Sequence, residues 1–269
     1  MGANQRAVIL TGSELRHVYV RKAIGLSAHV QVVRSYCEGL QNHNASEGDQ
    51  AAHLDARARS ERDFFGAFAA LAPDATHPVE IPRGSINDPE RCRDIVAQGP
   101  DLLAAYGCSI VREPLLSAFT GRFLNVHLGL SPYYRGSGTN FWALVNGEPE
   151  YVGATFMHLA AGVDTGEIIH QMRARVYPGD SPHQIGNRLI ADMAVVYAAL
   201  IGRFAELRPM PQPQPPANAR VCRNRDFTPE ATQSLYRGFA AGLVDRYLAE
   251  QQARCDAAPI VVNPLLADL

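Results

Sequence analysis

Asn125 and His127 are the residues whose types and spacing first suggest chemistry. They stand two apart in Phe123-Leu124-Asn125-Val126-His127, a short run with the pattern of a buried strand. Side chains alternate faces along a strand, so the amide and the imidazole point the same way while Leu124 and Val126 enter the sheet packing. An amide N–H can hold a developing oxyanion, and an imidazole can donate or accept a proton near neutrality. Further on, Gly162-Val163-Asp164-Thr165-Gly166 sets one carboxylate in a glycine-flanked turn. Taken alone, an Asn-x-His triplet fits a hydrogen-bonded core histidine at least as well as a catalytic one.

The elements that must position these groups read as alternating strands and helices. Ala7–Leu10, His29–Val33, Val79–Ile81, Pro100–Gly107 and Phe123–His127 read as strands, with a helix following the first through Ile24 and a polar, then helical, stretch from Ser35 to Leu71. This alternation predicts an α/β fold, a Rossmann-like, mostly parallel sheet with helices on both faces. Open sheets of this kind place ligands at the carboxyl ends of their strands, where Asn125 and His127 fall. Val152–His158 and Glu167–Gln171 read as a further strand pair. Ser181-Pro182-His183-Gln184 is a complete helix start, with Ser as N-cap, Pro first and Gln at N3. Ile185, Leu189, Met193, Val196, Leu200 and Phe204 then recur at helical spacing. Pro209–Pro216 is too proline-rich for helix or central strand and reads as an extended linker. The expected division is a catalytic domain at 1–208, a linker at 209–219 and a small C-terminal appendage at 220–269. The appendage should hold a strand near Val221 and a helix carrying Leu235, Phe239, Leu243 and Tyr247.

Four segments in order, Asn125-Val126-His127-Leu128-Gly129-Leu130-Ser131-Pro132, Tyr134-Arg135-Gly136, Gly153-Ala154-Thr155 and Gly162–Ile169, resemble the folate-dependent formyltransferases. That family includes glycinamide ribonucleotide transformylases, methionyl-tRNA formyltransferases and sugar-nucleotide N-formyltransferases. The resemblance implies transfer of a formyl group from 10-formyltetrahydrofolate to an amine. It implies that Asn125 binds the formyl oxygen, that His127 relays the proton, and that Asp164 orients His127 and helps take the proton from the amine. It also implies a pterin site on the backbone of Ser109, Ile110 and Val111 and of the loop carrying Ala160, Gly162 and Val163. Gly129-Leu130-Ser131-Pro132 departs from the family's two-leucine-proline element, and Thr11-Gly12 from the doubled glycine of purine-pathway members. Both departures move the expected acceptor toward an amino-sugar nucleotide or a specialised-metabolite amine.

For the acceptor, Tyr133, Tyr134 and Arg135 directly follow the catalytic strand and are candidate contacts. Gly12 and Ser13 after the first strand form either a phosphate-binding turn or simply a capped helix start; this is no GxGxxG dinucleotide motif. Arg16, His17 and Arg21 either grip an acidic substrate or form a solvated helix face. Trp142 belongs to the core or lines the acceptor pocket. His158, His170 and His183 match no zinc spacing, so no metal is expected. A formal net charge of −2 and the absence of a basic run argue for a small-molecule amine and against nucleic acid or a membrane surface. No apolar stretch approaches the roughly 20 residues that span a bilayer. Five scattered cysteines without a CxxC pair suggest a reducing cytoplasm. A homodimer paired through the C-terminal helix is compatible with the pattern. Hydrolysis of the donor, formylation of methionyl-tRNA and a non-catalytic binding role are the rival readings.

Overall fold

Residues 7–10 carry apolar side chains on both strand faces, which commits them to the middle of a sheet covered on both sides. In the computed structural model, which describes residues 4–40, 48–160, 162 and 164–266, they lie in β1 (Gln5–Gly12). Ala7 and Ile9 enter one core cluster, with Val20, Ile24 and Phe65. Val8 and Leu10 enter the other, with Ile86, Ile95 and Phe119.

The chain continues through α1 (Leu15–Gly25), β2 (Val30–Glu38), α2 (Gly48–Leu71), β3 (Pro78–Ile81), α3 (Pro89–Ala97) and β4 (Leu102–Tyr106). Next come α4 (Leu115–Ala118), β5 (Phe123–His127), β6 (Tyr134–Gly136), α5 (Thr139–Val145), β7 (Gly153–His158) and β8 (Ile168–Arg173). Last are α6 (Pro182–Gly202), β9 (Arg220–Cys222), α7 (Pro229–Ala240) and α8 (Leu243–Ala257). The seven-stranded sheet has the order β3-β2-β1-β4-β5-β7-β8. Strands β1 to β5 run parallel, β7 runs antiparallel to β5, and β8 runs antiparallel to β7. The expected α/β fold with a mostly parallel sheet is therefore present. Strand order reverses between β1 and β4, so the crevice above their carboxyl ends is the natural ligand site.

Three expectations need correction. Strand β2 runs on to Glu38 although Arg34 and Ser35 are polar, because residues 34–38 pair with β1 on one side and 35–38 with β3 on the other. The single C-terminal helix is two helices, broken at Gly242, which adopts a left-handed φ of 79°. One helix does have the length and apolar composition to cross a membrane: α6, at 21 residues. Most of its apolar stretch is buried, and it packs on α1, α2 and β7 as a core helix.

Helix α6 also braces the strands that carry the site. Its start forms the expected capping box, with Ser181 Oγ accepting from Gln184 N and Ser181 N donating to Gln184 Oε1. Fully buried Tyr197 shares its hydroxyl hydrogen between Ala105 O on β4 and Leu124 O on β5, each at 3.1 Å. Tyr197→Phe should destabilise the fold by about 1–2 kcal/mol, since it removes a buried donor without opening a cavity. Urea denaturation of the two proteins measures the difference.

Candidate active site

Strand β5 delivers Asn125 and His127 to the crevice. Asn125 pairs with Ala105 of β4 and Met157 of β7, which fixes its backbone on both sides. His127 is 8 % exposed, and its two ring nitrogens face two acceptors. Nδ1 lies 3.4 Å from Asp164 Oδ2, and Nε2 lies 3.2 Å from the Tyr134 carbonyl oxygen. A neutral imidazole offers one N–H to these two partners, whereas the imidazolium offers two. The Gly129 backbone passes so close that a Cβ there would sit 2.5 Å from both His127 Nε2 and Thr139 Oγ1. Any side chain at 129 would push the imidazole out of place.

Asp164 sits in the turn with φ 52°, a left-handed conformation that short polar residues tolerate. Its Oδ2 accepts a hydrogen bond from Gly136 N at 2.9 Å. The carboxylate therefore bridges β6 and the imidazole.

Asn125, His127 and Asp164 line one cavity of about 1510 Å³, set over the carboxyl ends of β1, β4 and β5. Ser109, Ile110, Val111, Ala160 and Gly162 line the same cavity, as do Gly12 and Ser13 on the β1 side. Val163 lies outside the described residues. Ile110, an apolar side chain, is 70 % exposed.

Tyr133, Tyr134 and Arg135 do not line the cavity, and this corrects their expected role. Tyr133 donates its hydroxyl to Pro259 O at 2.9 Å. Tyr134 is buried, donating to Glu148 and accepting from Asn146 Nδ2. The loop after β5 turns its aromatic rings down into packing with Tyr151 and serves the site through its backbone. The Tyr134 carbonyl holds His127, and the Gly136 N–H holds Asp164. Of the basic candidates on α1, Arg16 and His17 line the cavity, whereas Arg21 turns away to Asp74 and Thr76. Arg16 is paired with Glu61 at 2.8 Å. Burial, with Arg16, Arg83 and Arg57 nearby, holds the His17 imidazole well below its usual range. Trp142 lines the cavity.

A second wall of the cavity was not visible in the sequence. His53 of α2, Phe141 of α5, His183 of α6 and Phe227 near α7 converge there, with ring centroids 4.7–5.9 Å apart around His53. Tyr236 of α7 ties the two imidazoles, its hydroxyl lying 3.1 Å from His53 Nδ1 and 3.2 Å from His183 Nε2. Among the described residues, no three His, Cys, Asp or Glu side chains are grouped to hold a metal ion.

Burial pushes both imidazoles down from 6.5 to about 4, with Arg57 adding to the effect on each. The unfolded chain therefore takes up these protons near 6.5 and the folded chain only near 4, so stability is full above 6.5 and is lost as pH falls through that window. The melting temperature should drop across that window, and His53→Gln with His183→Gln should flatten the drop. Thermal unfolding at a series of pH values checks this.

A sequence profile described as formyl transferase matches residues 21–200. A methionyl-tRNA formyltransferase of Cereibacter sphaeroides is 29 % identical over 209 residues, covering 77 % of this chain and 63 % of the relative. Another, from Ruegeria pomeroyi, is 27 % identical and is covered to 64 %. The chain thus spans less than two thirds of the length of the curated relatives it matches. Among solved structures, the phosphoribosylglycinamide formyltransferase of Anaplasma phagocytophilum superposes with a TM-score of 0.56 at 15 % identity, covering 82 % of this chain and 99 % of that one. A sugar N-formyltransferase from Shewanella sp. also gives 0.56, at 14 % identity, covering 83 % and 78 % of the two chains. At these identities the superpositions speak for the fold, and the profile, which matches well over half of the chain, decides its kinship. With a parallel sheet, an Asn-x-His strand end and an aspartate turn already in place, the chain belongs to the formyl transferase family.

Proposed function

We propose that the protein transfers a formyl group from 10-formyltetrahydrofolate to a primary amine of a small molecule. The observation that carries this is the meeting of Asn125, His127 and Asp164 on the wall of one cavity. At about 1510 Å³ the cavity exceeds the roughly 300–1,000 Å³ of a site for one small ligand, which suits a bulky donor and an acceptor bound together. The residues expected to face the pterin, 109–111 with Ala160 and Gly162, offer it backbone groups and the exposed Ile110 side chain.

In this reading the acceptor nitrogen attacks the formyl carbon, forming a C–N bond as the carbonyl π pair moves to oxygen. The Asn125 amide donates to that oxygen while it carries charge. Asp164 accepts the proton lost by the amine, and His127 supplies one to the folate nitrogen as the old C–N bond breaks. Proton exchange through the Nδ1–Oδ2 contact restores both groups, and one formamide and one tetrahydrofolate leave.

The acceptor we favour is an amino-sugar nucleotide or a related specialised amine. The cavity is walled by α2, α5 and the segment before α7, which suits an acceptor that fits inside rather than a folded RNA. Formylation of methionyl-tRNA is the second reading, favoured by the names of the relatives. A panel of amino sugars, nucleotide-linked amino sugars, amino acids and methionyl-tRNA, each incubated with formyl-folate, decides between them by mass spectrometry. A small-molecule product heavier by one formyl group supports the proposal. Formate released at full rate without any amine points to hydrolysis instead.

A further inference from the structure

We propose that residues 210–222 are a strap that fixes the Asp164 turn from two sides, with Gln212 as a positioning residue for the aspartate. This rests on the reading of Asp164 as catalytic. The strap lies beyond residue 200, where the match to the family profile ends.

At its first end, Met210 pairs with Ile168 at the start of β8 through two backbone hydrogen bonds of 2.7 and 2.8 Å. Gln212 follows two residues later. Its Nε2 donates to both the Asp164 carbonyl at 2.7 Å and the Gly166 carbonyl at 2.9 Å. One side-chain amide thus spans the turn on either side of Thr165, holding the left-handed Asp164 from its backbone.

The sequence explains why this amide is well presented. Met210, Gln212 and Gln214 each precede a proline, which keeps them extended. Pro211 and Pro213 fix φ on either side of Gln212. The strap is stiff before it docks, so little ordering entropy opposes the two hydrogen bonds.

At its second end, β9 pairs parallel with β6. Arg220 N donates to Tyr133 O at 2.8 Å, and Ser137 N donates to Cys222 O at 3.0 Å. Gly136, with φ 94°, lies so close to the Cys222 carbonyl that no Cβ fits between them. Strand β6 is the element whose Gly136 N–H holds the Asp164 carboxylate and whose Tyr134 carbonyl holds His127 Nε2. The strap therefore sets Asp164 through its backbone at one end and through its carboxylate partner at the other.

The test compares Gln212→Ala, Gln212→Asn, Asp164→Ala and the neighbouring control Gln214→Ala in the full chain. Turnover is measured with 10-formyltetrahydrofolate and the best amine of the panel. The ¹⁵N shifts of the His127 ring, which report the nitrogen that carries the proton, are recorded without substrate. In the wild type the carboxylate, a stronger acceptor than a carbonyl, should favour hydrogen on Nδ1. Gln212→Ala should lower kcat by about 10–100-fold, the scale of a misplacement near 1 Å. It should leave KM for the formyl donor nearly unchanged and move the His127 signature toward that of Asp164→Ala. Gln212→Asn should recover part of both, and Gln214→Ala should match the wild type. If Asp164→Ala is inactive while Gln212→Ala is wild-type in kcat and in the ¹⁵N signature, the strap is overturned and the catalytic reading survives. If Asp164→Ala turns over normally, the catalytic reading falls and the strap with it.

Discussion

His127→Ala should lower kcat by about 10²–10⁴, the usual worth of a positioned acid–base group, with binding of the formyl donor largely kept. The imidazole is buried and held on both nitrogens, so nothing else in the cavity wall occupies its place. Asp164→Ala should cost a comparable factor, because it removes the partner of Nδ1 and the acceptor of the Gly136 N–H together. The two should not add. Groups that act as one unit lose their joint contribution with the first deletion, so the double variant should be no more than a few-fold worse than either single one. Steady-state kinetics of the three variants measures this directly. Independent, multiplying losses would show that the two residues serve separate steps.

Asn125→Ala should lower kcat by about 10²–10³, the range for removing one oxyanion donor from a water-poor site. The loss should fall on kcat more than on KM, since charge on the formyl oxygen grows only as the acceptor attacks. Asn125→Asp tests the sign. It is nearly the same size but places a carboxylate where the oxyanion develops, so it should be at least as damaging as alanine. Recovery of activity in Asn125→Asp would mean that this position shapes the pocket and does not hold charge. Asn125 is half-buried and belongs to neither core cluster, so neither change should disturb the packing that supports the sheet.

Much of the architecture could be read from the chain because the physics is local. Ala7–Leu10 and Leu102–Tyr106 are apolar on both faces, which only a covered parallel sheet accommodates, and both lie at its centre. The start of α6 was legible for the same reason, since a capping box is a four-residue pattern. Alternation put Asn125 and His127 on one face, and the glycines about Asp164 marked a turn. What escaped depends on long-range contacts. The polar second half of β2 is held as strand by neighbours on both sides. Tyr133 and Tyr134 were expected at the acceptor because they follow the catalytic strand. Their orientation is instead set by the half-buried Tyr151 and Glu148, 14 to 18 residues away, and their loop reaches the site through an N–H and a carbonyl that leave no mark on side-chain identity. Gln212 looked like one more polar residue in a proline run. Only the pairing of Met210 with Ile168 brings it onto the aspartate turn. The His53–His183–Tyr236 wall draws on three helices far apart in sequence, and no spacing rule connects them.

A crystal structure of the protein with a non-transferable formyl-folate analogue tests the central claim most directly. The account predicts the formyl oxygen about 2.7–3.1 Å from the Asn125 amide nitrogen, the distance an oxyanion donor needs. It also predicts the folate nitrogen within reach of His127 and Asp164 beside the carbon on the acceptor side. A formyl carbon seated away from Asn125, with the pteridine bound elsewhere than against residues 109–111, would contradict it.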